Sequence, residues 1–243
     1  MVVSGFHPVR EALARRPKAV ESVLLQSGRR DRRTNEIEAL ARGAGIPVRQ
    51  IGREELERLA GRAHNGVAAH VAERDYDSLE DALAGEKGSR LVLFLDEVTD
   101  PGNLGSILRS AAAAGASVIL PERHASGLTE TVAKASAGAL ERVKVARIGN
   151  AAQFLRAAKE AGFWVHGADP DGTSVWEADL TGDVLLCLGA EGAGLRRLTK
   201  ETCDQLVAIP TKEGTGSLNV GVAAGILLFE VARRRSRTAA ARK

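Results

Sequence analysis

Aromatic side chains are scarce in this sequence, at 3% of its 243 residues. A protein that binds unstructured single strands of nucleic acid stacks the bases on aromatic rings, so this composition argues against such a surface. Cysteine is scarce as well: Cys187 and Cys203 stand apart from each other and from any group of histidines. We therefore expect two buried thiols in a reducing compartment, in preference to a disulfide or a metal site.

Long apolar runs and metal-ligand spacings are also missing. No stretch of the sequence reaches the roughly 18 apolar residues of a membrane span, and the first residues lack the basic and then apolar pattern of a secretory signal. The five histidines never approach a ligand spacing such as H-E-x-x-H. Apolar residues make up 44% of the chain, as in ordinary globular proteins. These features predict a soluble, metal-free protein of the cytoplasm.

Positive charge is concentrated at the two ends of the chain. Residues 1–33 carry eight Lys or Arg against three acidic residues, and residues 231–243 add six Lys or Arg. Residues 91–230 have the opposite balance, with 12 basic and 17 acidic positions. Such basic segments are either solvated faces or contacts that neutralise the phosphates of a nucleic acid. The charges alone leave both explanations open.

The pattern of the sequence divides the chain into two domains. Helical spacing of apolar residues alternates with β-branched runs up to residue 72, and the residues that follow are polar and charged, as in a linker. Helices are expected at 8–15 and 34–45, and strands at 20–26, 47–51 and 66–72. We predict a first domain over 1–72, a linker over 73–89, a second domain over 90–235 and a disordered basic tail over 236–243.

The second domain has the pattern of an α/β fold. Leu91–Leu95 is a continuous apolar run, typical of a parallel strand that is covered on both faces. An alanine-rich helix over 103–114 and a strand over 116–120 complete a βαβ unit. Further strands are expected at 143–148, 164–167, 184–188 and 206–209. A parallel sheet of this kind binds ligands at the carboxyl ends of its strands.

The first unusual stretch is "DEVTDPGNLGSILRSA", where Asn103 and Arg109 follow the first strand of this domain. Asn103 has two explanations, a functional role or a helix N-cap, because asparagine often caps helices. Arg109 lies among apolar and small residues of a helix that we expect to be largely covered. A partly buried guanidinium needs an anionic partner, which is either a bound phosphate or a nearby acid. The candidate acids are Asp96, Glu97 and Asp100.

Two further stretches follow later strands. In "LGAEGAGL" the glycines from Gly189 onward allow a ligand to approach the backbone, but their spacing is not the G-x-G-x-x-G of a dinucleotide site. Glu191 within it either caps nearby N–H groups or has a functional role. The stretch "IPTKEGTGSLNVGVAAG" joins glycines to a helix start, as in an anion site, yet it lacks the lysine of a P-loop. Ser217 there is either an N-cap or part of a binding loop.

Together these stretches resemble the three motifs of the SpoU (TrmH-type) RNA ribose 2′-O-methyltransferases, in the SPOUT superfamily. The likeness rests on "PGNLGSILRSAAAAGA", "LGAEGAGL" and "IPTKEGTGSLNVGVAAGILLFE", and "SAGALERVKVARI" resembles the segment between the first two motifs. "GFHPVREAL" and "HNGVAAHV" resemble the start and end of a small ribosomal-protein-like α/β domain that binds the substrate in one branch of the family. That branch includes bacterial enzymes that methylate a guanosine ribose in 23S rRNA.

The resemblance implies a fold, a cofactor and a site. The last strands and helix of the family form a deep trefoil knot whose loops bind S-adenosylmethionine, and the family acts as a homodimer. Adenosine and a sulfonium amino acid need backbone amides and apolar walls, which suits a glycine loop without a P-loop lysine. The implied cofactor contacts are Gly189, Ile209 and Leu218. The implied catalytic positions are Asn103, Arg109, Glu191, Ser217 and Asn219. The first domain would bind the RNA.

The chain also departs from the family in its third motif. Thr211 and Glu213 replace the usual methionine and glycine, and Gly221 replaces the serine of the usual "NVSVA". The implied RNA is 23S rRNA; the alternatives are the same chemistry on tRNA, an antibiotic-resistance enzyme acting on rRNA, and a non-catalytic RNA-binding protein of ribosome assembly. A nicotinamide-dependent oxidoreductase is disfavoured by the glycine spacing.

Overall fold

A computed structural model describes residues 1–212 and 217–241 of the chain, with the side chains of 237–241 excluded. The chain divides into two compact units. The first contains Met1–Asp75 and Gly127–Arg142, and the second contains Tyr76–Ser126 and Val143–Lys243. Among the described residues, no helix is both long and apolar enough to cross a membrane.

Strands and helices alternate along both units. The strands are β1 (Val2–Ser4), β2 (Val20–Gln26), β3 (Val48–Ile51), β4 (Val67–Val71), β5 (Leu91–Asp96), β6 (Ser117–Pro121), β7 (Val145–Ile148), β8 (Trp164–Ser174), β9 (Val184–Gly189) and β10 (Gln205–Ala208). The helices are α1 (Phe6–Arg15), α2 (Arg32–Gly43), α3 (Arg53–Ala60), α4 (Leu79–Leu83), α5 (Pro101–Ala114), α6 (Glu130–Ala135), α7 (Ala151–Glu160), α8 (Arg197–Thr202) and α9 (Val220–Ala241). Of these helices, α1, α2, α3 and α6 belong to the first unit.

The described part of the first unit forms a four-stranded sheet in the order β1-β4-β2-β3. Strand β4 runs antiparallel to β1 and β2, whereas β3 runs parallel to β2. Apolar residues of the sheet and of α3 bury a small core that includes Leu24, Ile51, Leu56 and Ala68. The three strands and two helices predicted in this region are confirmed, and the structure adds β1 and α3.

A capping box starts α2 in the arginine-rich part of the first unit. The Asp31 carboxylate accepts the backbone N–H groups of Arg33 and Thr34 at 3.0 and 2.9 Å, and the Thr34 hydroxyl oxygen accepts the Asp31 N–H at 3.0 Å. Nε of Arg29 donates to the same carboxylate at 2.8 Å. The backbone hydrogen bond from Thr34 and then the Arg29 guanidinium stabilise the charged form, which lowers the pKa of Asp31 to about 2.

The chain leaves the second unit between β6 and β7 and contributes residues 127–142 to the first unit. There the side chain of Glu141 is only 6% exposed, and its Oε2 lies 2.8 Å from Nε of Arg16 in an ion pair. Val132 and Leu140 are buried. The sequence-based division placed this segment in the second domain, so the structure differs from it here. The physical reason is that a short apolar pattern indicates burial of a segment, but it does not indicate which of the two units supplies the core that the segment packs against.

The described part of the second unit forms a six-stranded sheet in the order β10-β8-β9-β5-β6-β7, and every neighbouring pair is parallel. The predicted α/β fold with a parallel sheet is confirmed. All residues of β5 are buried, as expected for a central strand that is covered on both faces. Strands β5 and β9 pair from Leu91 opposite Val184 to Asp96 opposite Gly189, so their carboxyl ends finish side by side.

An irregular pairing shapes the edge of this sheet. Strand β8 pairs with β10 through residues 166–167 and again through residues 173–174. Residues 168–172 of β8 bulge out of this ladder, opposite the step from Leu206 to Val207 in β10. A Cβ at Gly172 would lie 2.5 Å from the carbonyl carbon of Leu206, so glycine is required for the two strands to approach this closely. The bulge belongs to the carboxyl half of β8, where the candidate site lies.

The last helix, α9, packs against α5. A Cβ at Gly221 would lie 3.2 Å from the Ser106 hydroxyl oxygen, and one at Gly225 would lie 3.5 Å from the Ser110 hydroxyl oxygen. Small residues on both helices therefore permit a close approach. At Gly221 a larger side chain would crowd both Ser106 and the Oδ1 atom of Asn219, which would lie 3.1 Å from the added Cβ.

The basic tail continues α9 instead of leaving it. Helix α9 is assigned as far as Ala241 and so includes residues 236–241 of the tail that the sequence predicts to be disordered, whereas residues 242 and 243 lie outside the described part of the chain. Alanine and arginine both have high helix propensity, which favours continuation of the helix through this segment.

Arginines near the start of this tail have partners within the second unit. The buried Glu230 accepts from Nε of Arg233 at 2.7 Å and from Nε of Arg234 at 2.8 Å. Arg235 donates to the carbonyl of Arg90 at 2.7 Å. Hydrogen bonds from Arg233 and then Arg234 outweigh the effect of burial and lower the pKa of Glu230. The pairs with Glu230 lie within the helix, and the bond from Arg235 to Arg90 holds the helix to its own unit.

Candidate active site

The carboxyl ends of β8, β9 and β10 surround a cavity of about 490 Å³, which we call the carboxyl-edge pocket. Its lining includes the three positions that the resemblance implied as cofactor contacts: Gly189, Ile209 and Leu218. Glu191 and Ser217 also line it. Cavities of this size commonly hold a small molecule. The fold therefore brings the second and third motifs to one place.

One wall of the pocket is the loop 189–195, which follows β9. A Cβ at Gly189 would lie 2.0 Å from the carbonyl carbon of Gly194, so the backbone passes itself with no room for a side chain. The Gly194 N–H donates to the carbonyl of Ala190 at 2.9 Å, and Gly194 has a φ of 70°. Glycine is thus needed at both ends, for close approach at one and for a left-handed backbone at the other. The loop is a closed turn that carries Glu191.

Three of the five implied catalytic positions form one hydrogen-bonded chain. Nδ2 of Asn219 donates to Oδ1 of Asn103 at 2.8 Å, and Nδ2 of Asn103 donates to Oε2 of Glu191 at 3.3 Å. The first of these bonds joins residues 116 positions apart. This polar network ties the first turn of α5, the loop 189–195 and the start of α9 together.

Asn219 is also the residue that caps α9. Its Oδ1 accepts the N–H of Gly221 at 3.0 Å and the N–H of Val222 at 3.3 Å. Ser217, which the sequence offered as the cap, is exposed and lies outside the helix. The side chain of Asn219 therefore accepts hydrogen bonds from two N–H groups of α9 and donates one to Asn103 in the polar network. Alanine has no polar side-chain group, and the side chain of serine is too short to make both kinds of bond.

The structure decides between the two explanations of Asn103 and contradicts the expectation about Arg109. Asn103 is not the N-cap, because Asp100 holds that position and its Oδ1 accepts the Asn103 N–H at 2.6 Å. Arg109 is exposed, not partly buried, since α5 turns the adjacent Leu108 into the core. Arg109 makes no ion pair with a described residue, and two of the candidate acids bind Arg196 instead. Of the five implied positions, Arg109 and Ser217 thus lie outside the polar network.

Two ion pairs beside the pocket were not predicted. Nζ of Lys200 lies 2.7 Å from Oδ2 of Asp169, and both residues line the pocket together with Asp171. The hydrogen bond to Asp169 raises the pKa of Lys200. The second pair joins Asp96, whose side chain is fully buried, to Arg196 at 2.6 Å. The residues of the second pair are 100 positions apart, so the only local signal was an acid directly after a buried strand.

The remaining predicted features have simple outcomes. Cys187 and Cys203 are free thiols that border the same core, the first fully buried and the second partly. Among the described residues, no group of three His, Cys, Asp or Glu is placed to hold a metal ion. Thr211 lines the carboxyl-edge pocket, whereas Glu213 and the neighbouring loop glycines lie outside the described residues.

Fold and site together define a class of protein. It has an α/β domain with a small-molecule pocket at the carboxyl edge of a parallel sheet, and a network of two amides and a carboxylate beside that pocket. A second α/β unit with an arginine-rich helix start precedes this domain in the chain.

The chain belongs to the SpoU rRNA methylase family, which matches residues 90–229. Residues 2–77 match the family described as RNA 2′-O ribose methyltransferase substrate binding. The resemblance that the three motifs indicated is therefore confirmed.

Relatives match both units. The 23S rRNA (guanosine-2′-O-)-methyltransferase RlmB of Ralstonia nicotianae is 42% identical over 236 residues, which cover 96% of this chain and 95% of that protein. The SpoU methyltransferase AviRb from Streptomyces viridochromogenes, in complex with the cofactor AdoMet, has a TM-score of 0.79 at 29% identity, covering 97% of this chain and 90% of that one. The AdoMet-bound rRNA methyltransferase from Sinorhizobium meliloti has a TM-score of 0.78 at 28% identity, with 96% and 87% covered.

The substitution Gly189→Ala is expected to destabilise the second unit. The added Cβ would meet the Gly194 backbone at 2.0 Å, and backbone cannot move aside as a flexible side chain can. We expect a loss of about 3 kcal/mol or more, at the upper end of what overpacking costs, measured by urea denaturation. Gly149→Ala is the matched control, because its Cβ would meet only the Glu122 side chain at 3.6 Å. Equal stability of the two variants would contradict the close approach.

Proposed function

We propose that this protein is an S-adenosylmethionine-dependent RNA 2′-O-ribose methyltransferase that acts on a guanosine of 23S rRNA. The observation that carries the proposal is the Asn103–Glu191–Asn219 network beside a pocket lined by a backbone-rich loop. Support for the substrate comes from the relative RlmB, a 23S rRNA (guanosine-2′-O-)-methyltransferase that matches 96% of this chain. A ribosomal RNA substrate implies that the protein works in the cytoplasm.

The carboxyl-edge pocket fits S-adenosylmethionine. When bound, this cofactor supplies an electrophilic methyl group on a positively charged sulfonium. The loop 189–195 would hold it through backbone groups, and Ile209 and Leu218 would supply apolar walls. Three acidic residues also line the pocket: Asp169, Asp171 and Glu191. Negative charge favours a cationic ligand, whereas a phosphate cradle needs the opposite sign.

Arg109 is assigned to the RNA. The arginine side chain presents N–H donors and no acceptor, so Arg109 suits the binding of an anion and not the role of a general base. Its planar fork suits a phosphate, and in the described structure it is exposed and not engaged in an ion pair. Arg109 would clamp the phosphate that adjoins the reacting ribose. That phosphate orients the 2′-hydroxyl and can accept the proton that the hydroxyl loses as it attacks.

The polar network positions these parts. Asn103 and Arg109 lie on the same helix, so the contacts that hold Asn103 to Glu191 and Asn219 also fix where the helix presents Arg109. Ser217 lies at the pocket, next to the cap of α9, and would order the third motif around the bound cofactor. Alignment of two substrates accounts for roughly 7–11 kcal/mol of barrier lowering in well-oriented systems, which makes this rigidity the main catalytic contribution of the chain.

In this proposal the first unit binds the RNA. Arg30 and Arg32 are exposed beside the start of α2, whereas Arg29 is held by Asp31. Arg30 also lines a cavity of about 670 Å³ together with Arg42. Exposed guanidinium groups of this kind neutralise phosphates.

Family membership further suggests a trefoil knot and a homodimer. Val222 and Phe229 on α9 are 52% and 50% exposed, and such apolar surface suits a second copy of the chain. Sedimentation velocity measures the dimer, and a monomer at micromolar concentration would contradict it.

The substrate is tested with methyl-labelled S-adenosylmethionine and, separately, unmodified 23S rRNA, 16S rRNA and bulk tRNA, followed by digestion to nucleosides. We expect label in 2′-O-methylguanosine from 23S rRNA alone. Label in tRNA would keep the chemistry but overturn the substrate. Absence of both label and cofactor binding would favour the non-catalytic RNA-binding alternative.

RNA binding by the first unit is tested by salt dependence. Replacing Arg30 and Arg32 by glutamine should weaken binding of a 23S rRNA fragment and flatten the slope of log K against log salt by about 0.7–0.9 for each phosphate that is no longer neutralised. Arg53→Gln in the same unit is the control, because Arg53 is exposed but already paired with Glu57 at 2.8 Å. An unchanged slope in the double arginine variant would show that the RNA is held elsewhere.

The assignment of Arg109 is tested by Arg109→Ala. Methyl transfer should fall by at least about 100-fold, since misplacement of the reacting groups alone has that effect, while the affinity for S-adenosylhomocysteine stays at the wild-type value. Arg156→Ala is the matched control, an exposed arginine on another helix of the same unit. Loss of cofactor affinity along with activity in Arg109→Ala would mean that the residue has a structural role.

A further inference from the structure

A fully buried carboxylate stands at the neck of the loop 189–195. Asp96 is the last residue of β5, its side chain has no exposed area, and its ladder partner is Gly189, the first residue of the loop. Its Oδ2 accepts the backbone N–H of Arg196 at 3.1 Å, and its Oδ1 accepts Nε–H of Arg196 at 2.7 Å. Nη2 of the same guanidinium lies 2.6 Å from Oδ1.

Arg196 follows the last residue of the loop, so Asp96 contacts the chain at both ends of it. The ladder holds Asp96 beside Gly189, and the carboxylate holds both the backbone and the side chain of Arg196. Between these ends the loop is closed by the hydrogen bond from Gly194 to Ala190. We propose that Asp96 and Arg196 form a latch that holds the loop in the shape that binds the cofactor, which makes both of them positioning residues for methyl transfer.

The latch would affect cofactor binding indirectly, by holding the loop 189–195 in position. Arg196 is not among the described residues that line the carboxyl-edge pocket; its side chain borders a different cavity, next to Arg197 and Pro121. Moving the loop would nonetheless move Glu191, whose bond to Asn103 is already long at 3.3 Å. A small shift at the neck therefore reaches both the cofactor contacts and the polar network.

The burial of Asp96 makes the loss of its arginine partner unfavourable. A buried carboxylate without a partner is destabilising, and a guanidinium that supplies several donors in a fixed geometry compensates best. Nη1 of Arg196 also lies 3.4 Å from Oε1 of Glu97. Glu97 has a φ of 66° and begins the connection from β5 to α5. The hydrogen bond to Asp96 raises the pKa of Arg196. Without the guanidinium, Asp96 would need water, and the loop would have to open to admit it.

The inference rests on the proposed function, and its test separates the two. Wild type, Arg196→Gln, Arg196→Lys and the double variant Asp96→Asn/Arg196→Gln are compared, with Arg197→Gln as the control. Arg197 is the next residue, and among the described residues it pairs with the exposed Glu201, at 2.7 Å on the same helix. Affinity for S-adenosylhomocysteine is measured by calorimetry at a temperature at which circular dichroism shows each variant to be folded, and KM for S-adenosylmethionine and kcat are measured alongside.

We expect Arg196→Gln to weaken S-adenosylhomocysteine binding on the order of 10-fold or more, as for the loss of a charge-assisted hydrogen bond, and to raise KM for the cofactor. Arg196→Lys should recover part of this loss, because the charge is kept but the fork is not. The double variant should bind better than Arg196→Gln, since no buried charge is left unpaired. Arg197→Gln should stay within about threefold of wild type, as exposed pairs contribute little.

Three results would overturn the latch. They are wild-type affinity in Arg196→Gln, equal weakening in Arg197→Gln, and a double variant that binds as poorly as Arg196→Gln. A wild-type protein that binds no S-adenosylhomocysteine would overturn the proposed function and the latch together, whereas binding by wild type with no effect of Arg196→Gln would overturn the latch alone.

Discussion

The pairing of β5 with β9 in the middle of the parallel sheet brings together the two loops that carry Asn103 and Glu191. Both strands end at the same edge, and the last pair of the ladder sets Asp96 beside Gly189. The chain after β5 leads to Asn103, and the chain after β9 leads to Glu191. Two residues 88 positions apart can share a hydrogen bond only because this ladder delivers both loops to one point.

Charge is distributed over the second unit in the way that the proposed reaction requires. The carboxyl-edge pocket is lined by three acids and one lysine, and that lysine is bound to one of the acids. A sulfonium is attracted there, and a phosphate is not. The exposed guanidinium of Arg109 lies outside the pocket lining and has no acid to compete for it among the described residues. In the proposed reaction the cationic cofactor and a phosphate of the RNA would each meet groups of the opposite charge.

The extent to which the sequence predicted this structure depends on the range of each interaction. Strands such as β5 and β9 were predictable because a continuous apolar run is a local signal of burial on both faces. Gly189, Ile209 and Leu218, which the resemblance implies as cofactor contacts, line one pocket in the structure. What failed depends on partners far along the chain, which no local pattern encodes.

Three features were not evident from local sequence patterns: the exposure of Arg109, the cap of α9 and the latch at Asp96. A helix of small and apolar residues has one face against the core, and the sequence did not show on which side of that face Arg109 falls. Ser217 and Asn219 both suit an N-cap, and the choice depends on where Asn103 lies. Asp96 followed a buried strand, but its partner Arg196 is known only from the fold.

The segment 127–142 shows that the two units are not independent, although each has its own sheet. It belongs in sequence to the crossover between β6 and β7 and in space to the first unit, where Val132 and Leu140 are buried. A chain cut after residue 72 would expose these apolar side chains and deprive Glu141 of Arg16, leaving a carboxylate without its ion-pair partner. Loss of RNA binding after such a cut would have two explanations: removal of the RNA-binding surface, and disruption of the fold of the remaining chain. Single substitutions of exposed arginines in the full chain avoid this, because the ion pair and the buried segment stay in place.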